Sequence, residues 1–280
     1  VSTATEQSRA APVGERPRRH LRPRVPVVAL VLAIIAVAFF TIPLIGLVQR
    51  ASWGSIWDDL STPAARDAMR LSLECSLWAT GLSIIFGVPL AWVLARVEFP
   101  GRPLVRALTL LPLVLPPVVG GVALLLAFSR SSLIGGWLHD WFGIQLTFSK
   151  SGAILAETFV AMPFFVITVE AGLRSTDRRY EEAAATLGAG RWTVFRRVTI
   201  PMILPSIAAG AALAWARALG EFGATITFAG NIQGRTQTIP LAVYLLLQND
   251  LNAAIALSLV LLAVSIAVLA LLRDRWLGHV

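Results

Sequence analysis

The sequence predicts an all-α polytopic membrane protein with six transmembrane helices. Two features of composition and one of pattern carry that reading. Apolar residues make up 56% of the 280 residues and charged residues only 14%, with a mean hydropathy of +0.72. A soluble domain sits nearer half apolar and a quarter charged, and a disordered chain is more polar still. The pattern resolves into six apolar stretches, each near the roughly 20 residues that a 30 Å hydrocarbon core requires.

The stretches run in order. Pro26 to Val48 carries no charge. A basic segment precedes it, but it is too long for a leader's apolar core and no small-residue cleavage site follows, so a retained helix is expected. Leu71 to Ala95 follows, with Glu74 near its start. Leu104 to Phe128 has Arg106 at one end and the run Leu111-Pro-Leu-Val-Leu-Pro-Pro-Val-Val-Gly-Gly121. Its prolines remove backbone donors, so that helix is expected to kink or break. Ser151 to Leu173 carries Glu157 and Glu170, Met202 to Phe228 carries Arg217 and Glu221, and Ala253 to Leu272 carries no charge.

The net charge of +8 raises the question of a nucleic-acid partner. Its distribution answers differently. Alternate polar segments hold 17 Arg and Lys on one side and 6 on the other, with Arg217 inside a span. By the positive-inside rule this places both termini in the cytoplasm. Residues 1–25 then form a basic cytoplasmic tail, 26–275 the transmembrane domain, and 276–280 a short C-terminal tail. The tail arginines set orientation and meet anionic lipid; no nucleic-acid partner is expected. A multi-pass protein of a bacterial-type cytoplasmic membrane is.

Several chemistries are excluded by count and spacing. Cys75 is the only cysteine, and His20, His139 and His279 lie in separate polar segments. No metal-ligand spacing results, and neither a catalytic residue nor a cofactor site is expected. Lys150 is the only lysine; Ser149 and Ile144 occupy the positions where a Walker A motif needs glycines. If the protein's work is driven by ATP, another subunit binds the ATP.

The connection from Arg174 to Pro201 carries a pattern. Asp177 can cap a helix that holds Glu181 and Glu182 in its early turns, where carboxylates favour the positive helix end. Ala183 to Leu187 continue it, Gly188 and Gly190 are expected to stop it, and a second helix is expected over Arg191 to Val198. A helix, a turn and a helix standing off one membrane face are shaped to dock into a partner's groove.

Glu182-Ala183-Ala184, three residues, Gly188, nine residues, then Val198-x-Ile200-Pro201 resembles the "EAA loop" of ABC importer permeases, with Val198 and Ile200 as mild departures from the usual Ile-x-Leu-Pro ending. The resemblance implies a type I ABC importer permease-like fold. It also implies a coupling loop over 174–201 that seats in the ATPase, with Glu182, Ala183, Ala184, Gly188, Arg191 and Pro201 as its marked residues. The implied partners are two ATP-binding subunits carrying ATP and Mg, an extracytoplasmic oxyanion-binding protein, and a second copy of the chain. Ala218-Leu-Gly-Glu-Phe-Gly-Ala-Thr-Ile-Thr-Phe-Ala-Gly-Asn231 and Gly234 to Tyr244 resemble the molybdate permeases, with tungstate and sulfate relatives close by.

Arg217 and Glu221 stand four apart and share a helix face. A charge within a span is costly and is a functional candidate by default. Two readings stay open: an internal ion pair that fixes packing, or an Arg217 that offers positive potential to a passing oxyanion. The alanines from Ala208 to Ala218 permit close helix approach, within the chain or between two copies. Other function classes are an ion-coupled transporter, using an acid such as Glu157 as a relay, and an intramembrane enzyme, for which no constellation at one depth is visible.

Overall fold

The computed structural model describes residues 26–277, with side chains described as far as Ala270. The expected tail at 1–25 and residues 278–280 of the expected C-terminal tail lie outside the described residues. The chain divides into two units, one ending at Gly46 and one beginning at Leu47. Every regular element among the described residues is helical.

Helix α1 is Val27–Gln49, uncharged and 23 residues long, about 34 Å at the helical rise and enough to cross a bilayer. In the second unit, the short α2 (Ile56–Ser61) precedes α3 (Pro63–Arg96). Helix α3 starts well before the expected Leu71, because Thr62 caps it by accepting from the Ala65 N–H at 3.3 Å and Pro63 opens it. Its first turns, with Arg66, Asp67 and Arg70, are polar and extend beyond the apolar stretch.

The third expected span is broken. Helix α4 (Arg102–Val114) and α5 (Pro117–Phe128) are bent by 119°. Leu115 is extended, as a residue before proline tends to be, and Pro116 offers no N–H to continue the ladder. Pro112 stays inside α4, so one of the three proline positions breaks the helix, one opens the next and one is absorbed. Among the described residues five helices are long and apolar enough to cross a membrane, or up to six if this bent pair is one span.

Helix α6 (Leu133–Phe142) was not expected. Ser132 caps it through the Gly135 N–H, and Gly143 ends it with φ +66°. Helix α7 (Lys150–Ser175) is capped by Ser149 through the Gly152 N–H at 3.1 Å. Next come α8 (Arg179–Thr186), α9 (Arg191–Val194), a π turn over Phe195–Thr199, and α10 (Ile200–Leu219). The fifth expected span stops at Leu219 rather than Phe228. Gly220 to Phe222 interrupt it before α11 (Gly223–Phe228). Helices α12 (Ile239–Asn249) and α13 (Leu251–Leu277) complete the unit.

The core is the three-way packing of α3, α7 and α10, around Leu94, Phe165, Val169, Leu173, Ile203 and Ala214. Lipid is as apolar as these side chains, so close fit rather than water exclusion holds such helices together. Ala91, Ala161 and Ala214 are fully buried there and let the backbones approach. A second cluster joins α5, α7 and α11 through Leu124, Val160, Ala224 and Phe228. That approach requires Gly121: a Cβ added to it would stand 2.8 Å from the Ala224 carbonyl oxygen and 2.7 Å from Thr227 Cβ. Ala65 and Ala68 of α3 pack with Ile239 of α12 and Leu257 of α13.

Polar contacts sort the connections into two ends. Arg96, closing α3, pairs with Glu181 of α8. Glu74 of α3 pairs with Lys150, which opens α7. Ser52 Oγ donates to Asn252 Oδ1 at 2.9 Å. Segments 96–106 and 174–201 therefore share one end, and segments 49–70, 129–150 and 229–252 the other, which for these five internal segments is the grouping that the Arg and Lys count proposes.

Candidate functional site

The segment after α7 is fixed residue by residue. The Asp177 carboxylate accepts from the Arg179 backbone N–H at 3.0 Å, which turns the chain into α8. At the far end Gly188 adopts φ +84°. The Ala189 N–H reaches the Ala184 carbonyl at 3.1 Å and the Gly188 N–H reaches that of Ala185 at 3.0 Å. This pair of bonds is the Schellman closure, which needs a left-handed residue where Gly188 stands. Gly190 does not share that role. It is extended, at φ −63° and ψ 154°, and leads into α9, so only the first of the two expected stop glycines uses glycine's freedom.

The second expected helix is not separate. Arg191 to Leu219 is one 29-residue helical run. Pro201 explains the π turn inside it. Proline has no N–H for the carbonyl four residues back and its ring crowds that carbonyl. The turn before it widens, and the Ile200 N–H bonds to the Phe195 carbonyl instead.

Glu181 ties this element to the bundle. Its Oε1 accepts from Thr199 Oγ1 at 2.8 Å and its Oε2 lies 3.4 Å from Arg96 Nε. Arg96 Nη2 donates to the Thr176 carbonyl at 3.3 Å, and Arg178 Nη2 donates to the Arg96 carbonyl at 2.9 Å. Sequence reasoning missed both Glu181 and Arg96 as braces. An arginine as the last residue of a long helix, followed in space by an acid one turn into α8, was the available signal, but it has meaning only once α3 and α8 are known to meet.

With Glu181 turned inward, the rest of α8 faces out. Glu182 and Ala183 are exposed and Ala184 is half-buried. Leu187 is 88% exposed, and Tyr180 and Trp192 are also exposed. A groove of about 670 Å³ runs between the end of α3 and this element, lined by Pro89, Trp92, Ala185, Ala189, Trp192 and Phe195 together with Arg191. Phe195 packs edge-on to Trp92 and stacks on Trp192, each with centroids 5.7 Å apart. Pro201 is exposed at the second position of α10. The expected residues therefore fall on one feature: Glu182, Ala183 and Ala184 on its outer helix, Gly188 at its corner, Arg191 beside its groove, Pro201 at its root.

Arg217 and Glu221 form an ion pair, Nη2 to Oε2 at 2.6 Å. Glu221 is 1% exposed, and its Oε1 also accepts from the Ala224 N–H at 2.8 Å. One carboxylate thus ends α10 through Arg217 and begins α11 through Ala224. Glu157 is equally buried, with Oε2 lacking a hydrogen-bond partner. Glu170 pairs with Arg106 and, at 3.0 Å, with Arg174. Among the described residues no group of His, Cys, Asp and Glu is arranged to hold a metal.

Residues 84–280 match the family described as the binding-protein-dependent transport system inner membrane component. The molybdenum transport system permease protein ModB of Mycobacterium tuberculosis is 47% identical over 233 residues, which cover 83% of this chain and 88% of that one. The sulfate transport system permease protein CysT of Escherichia coli is 40% identical over 232 residues, covering 81% and 83%. Among solved structures, a bacterial alginate ABC transporter in complex with an alginate pentasaccharide-bound periplasmic protein aligns with a TM-score of 0.67. It is 22% identical, with 88% of this chain and 92% of that one covered. The helical bundle, the anchored loop and these likenesses agree: the chain belongs to the binding-protein-dependent transport system inner membrane components, the permease subunits of ABC importers.

Proposed function

We infer that this chain is the permease of an importer for molybdate. It crosses the bacterial cytoplasmic membrane six times, counting the bent pair α4 and α5 as one crossing, with both termini inside. Two copies form the path. Two ATPase subunits, carrying ATP and Mg, seat against the loop at 174–201, and an external oxyanion-binding protein delivers substrate at the opposite end. The chain itself hydrolyses nothing.

The observation that carries the coupling role is the bracing of α8. Glu181 fastens it to Arg96 and Thr199, so a push on α8 moves α3 and α10 with it. ATP binding would close the ATPase pair, draw the two α8 elements together and open the spans outward. ADP release would reverse this. The choice of molybdate rests on relatives: 47% identity to a molybdenum permease against 40% to a sulfate permease over similar lengths. Tungstate and sulfate are the alternatives, and an ion-coupled transporter is the alternative of another class.

The test is to reconstitute the chain with its ATPase and binding protein and to measure ATP hydrolysis with the binding protein loaded with molybdate, tungstate or sulfate. The largest stimulation is expected with molybdate. Stimulation by none of the three would overturn the substrate class.

A further inference from the structure

Three arginines gather at the end of the bundle that carries α8. Arg102 and Arg106 lie in the first turns of α4, and Arg174 in the last turn of α7. All three line one cavity of about 480 Å³, whose remaining walls are Pro103, Ala107 and Leu110. Arg106 and Arg174 both pair with Glu170, which is 9% exposed at its side chain. Among the described residues Glu170 is the one carboxylate in ion-pair contact with the cluster. Three guanidinium charges against one carboxylate leave two positive charges unbalanced at the cavity.

Arg102 is held in place without spending its charge. Its Nε and Nη2 both donate to the Leu94 carbonyl, at 3.0 and 2.6 Å. A neutral acceptor fixes the guanidinium but does not neutralise it. Arg106 and Arg174 keep 36% and 48% of their side chains exposed, so water screens part of their repulsion, but the apolar walls leave that repulsion stronger than in open water and the cluster gains from an anion that enters. Guanidinium forks match the oxygen pairs of phosphate-like groups.

We propose that Arg102, Arg106 and Arg174 form a binding site for a tetrahedral oxyanion at the inner end of α4 and α7. The anion has two sources: the headgroup phosphate of an anionic lipid, or a free oxyanion such as the transported one. The site does not depend on which substrate is imported.

The test uses the purified permease–ATPase complex in nanodiscs, without binding protein. In discs of phosphatidylcholine alone, equilibrium dialysis measures bound tungstate. In discs containing phosphatidylglycerol, native mass spectrometry counts the phosphatidylglycerol retained. The variants are Arg102→Gln and Arg174→Gln, each of which leaves Glu170 paired through Arg106, with Arg102→Lys as the charge-keeping control. The expected result is saturable binding in at least one arm, weakened about tenfold in both glutamine variants and partly restored in the lysine variant. Tungstate dependence on Arg102 identifies a free-oxyanion site; dependence of phosphatidylglycerol alone identifies a headgroup site. Two results would overturn the proposal: no binding of either probe to the wild type, or binding that either glutamine variant retains unchanged. Loss of transport by the wild-type complex would count against the importer reading and leave this measurement standing.

Discussion

Glu181 and Arg96 meet at 3.4 Å across the junction of α8 and the end of α3, and the same carboxylate takes the hydroxyl of Thr199 at 2.8 Å. Arg96's side chain is 7% exposed and Thr199 is 2% exposed, so neither has water as a ready substitute. Glu181→Ala is expected to loosen α8 on the bundle, leaving the Arg178 tie to the Arg96 carbonyl but removing the charge-assisted hydrogen bond from Thr199, worth about 1.5–3 kcal/mol. ATP hydrolysis by the reconstituted complex should continue while its stimulation by loaded binding protein falls at least fivefold. Glu181→Gln, which can still accept from Thr199, should fall less.

The corner at Gly188 is a backbone requirement. At φ +84° a residue with a Cβ is strained by about 1–2 kcal/mol. Gly188→Ala should lower stimulated ATP hydrolysis and weaken co-purification of the ATPase. Gly188→Asn, a side chain that tolerates the left-handed region, should retain more of both. Equal behaviour of the two variants would count against the corner as the cause.

The pair Arg217–Glu221 separates packing from transport. Arg217→Gln strands a carboxylate that is 1% exposed, and breaking a buried pair costs about 3–5 kcal/mol. A lower unfolding temperature in detergent is expected. Arg217→Gln combined with Glu221→Gln removes both charges and should recover most of that loss, since the amide oxygen can still accept from Ala224. If the double variant recovers transport as well, the pair is structural. If stability returns without transport, Arg217 acts on the substrate.

Gly121→Leu is expected to force α5 away from α11, because even a Cβ there meets the Ala224 backbone at 2.8–2.9 Å. Overpacking of this kind costs about 1–3 kcal/mol. Reduced yield of folded protein, read by size-exclusion chromatography in detergent, is the check, and Gly120→Ala, whose Cβ would meet the Phe159 side chain at 3.0 Å, should be milder.

The parts of this structure that could be read in advance are those that local chemistry decides. Uninterrupted apolar length announced α1 and α13, and a length sufficient to span, despite Glu157 and Glu170, announced α7. The proline run announced a break, and the alanines followed by Gly188 announced α8 and its Schellman end. The parts that escaped depend on which segments meet. Glu181 and Glu182 are adjacent acids in the sequence, and only the proximity of α3 and α10 turns one into a brace and leaves the other exposed. Glu170 has Arg174 four residues on in the sequence, but only the meeting of α4 with α7 brings Arg106 beside it. The bend of 119° between α4 and α5 exceeds what proline alone dictates, since proline forbids a straight helix without choosing the new direction. The short α6 has a serine cap and a glycine stop, both legible, but ten residues with a Gly135-Gly136 pair inside are too short to prefer a helix over a loop on pattern alone.

The importer reading is tested most directly by uptake of labelled molybdate into proteoliposomes holding this chain, its ATPase and its binding protein. Uptake is expected to require ATP inside, loaded binding protein outside and an intact Glu181, and to be indifferent to a protonophore. Uptake that persists without ATP and collapses with the proton gradient would contradict it.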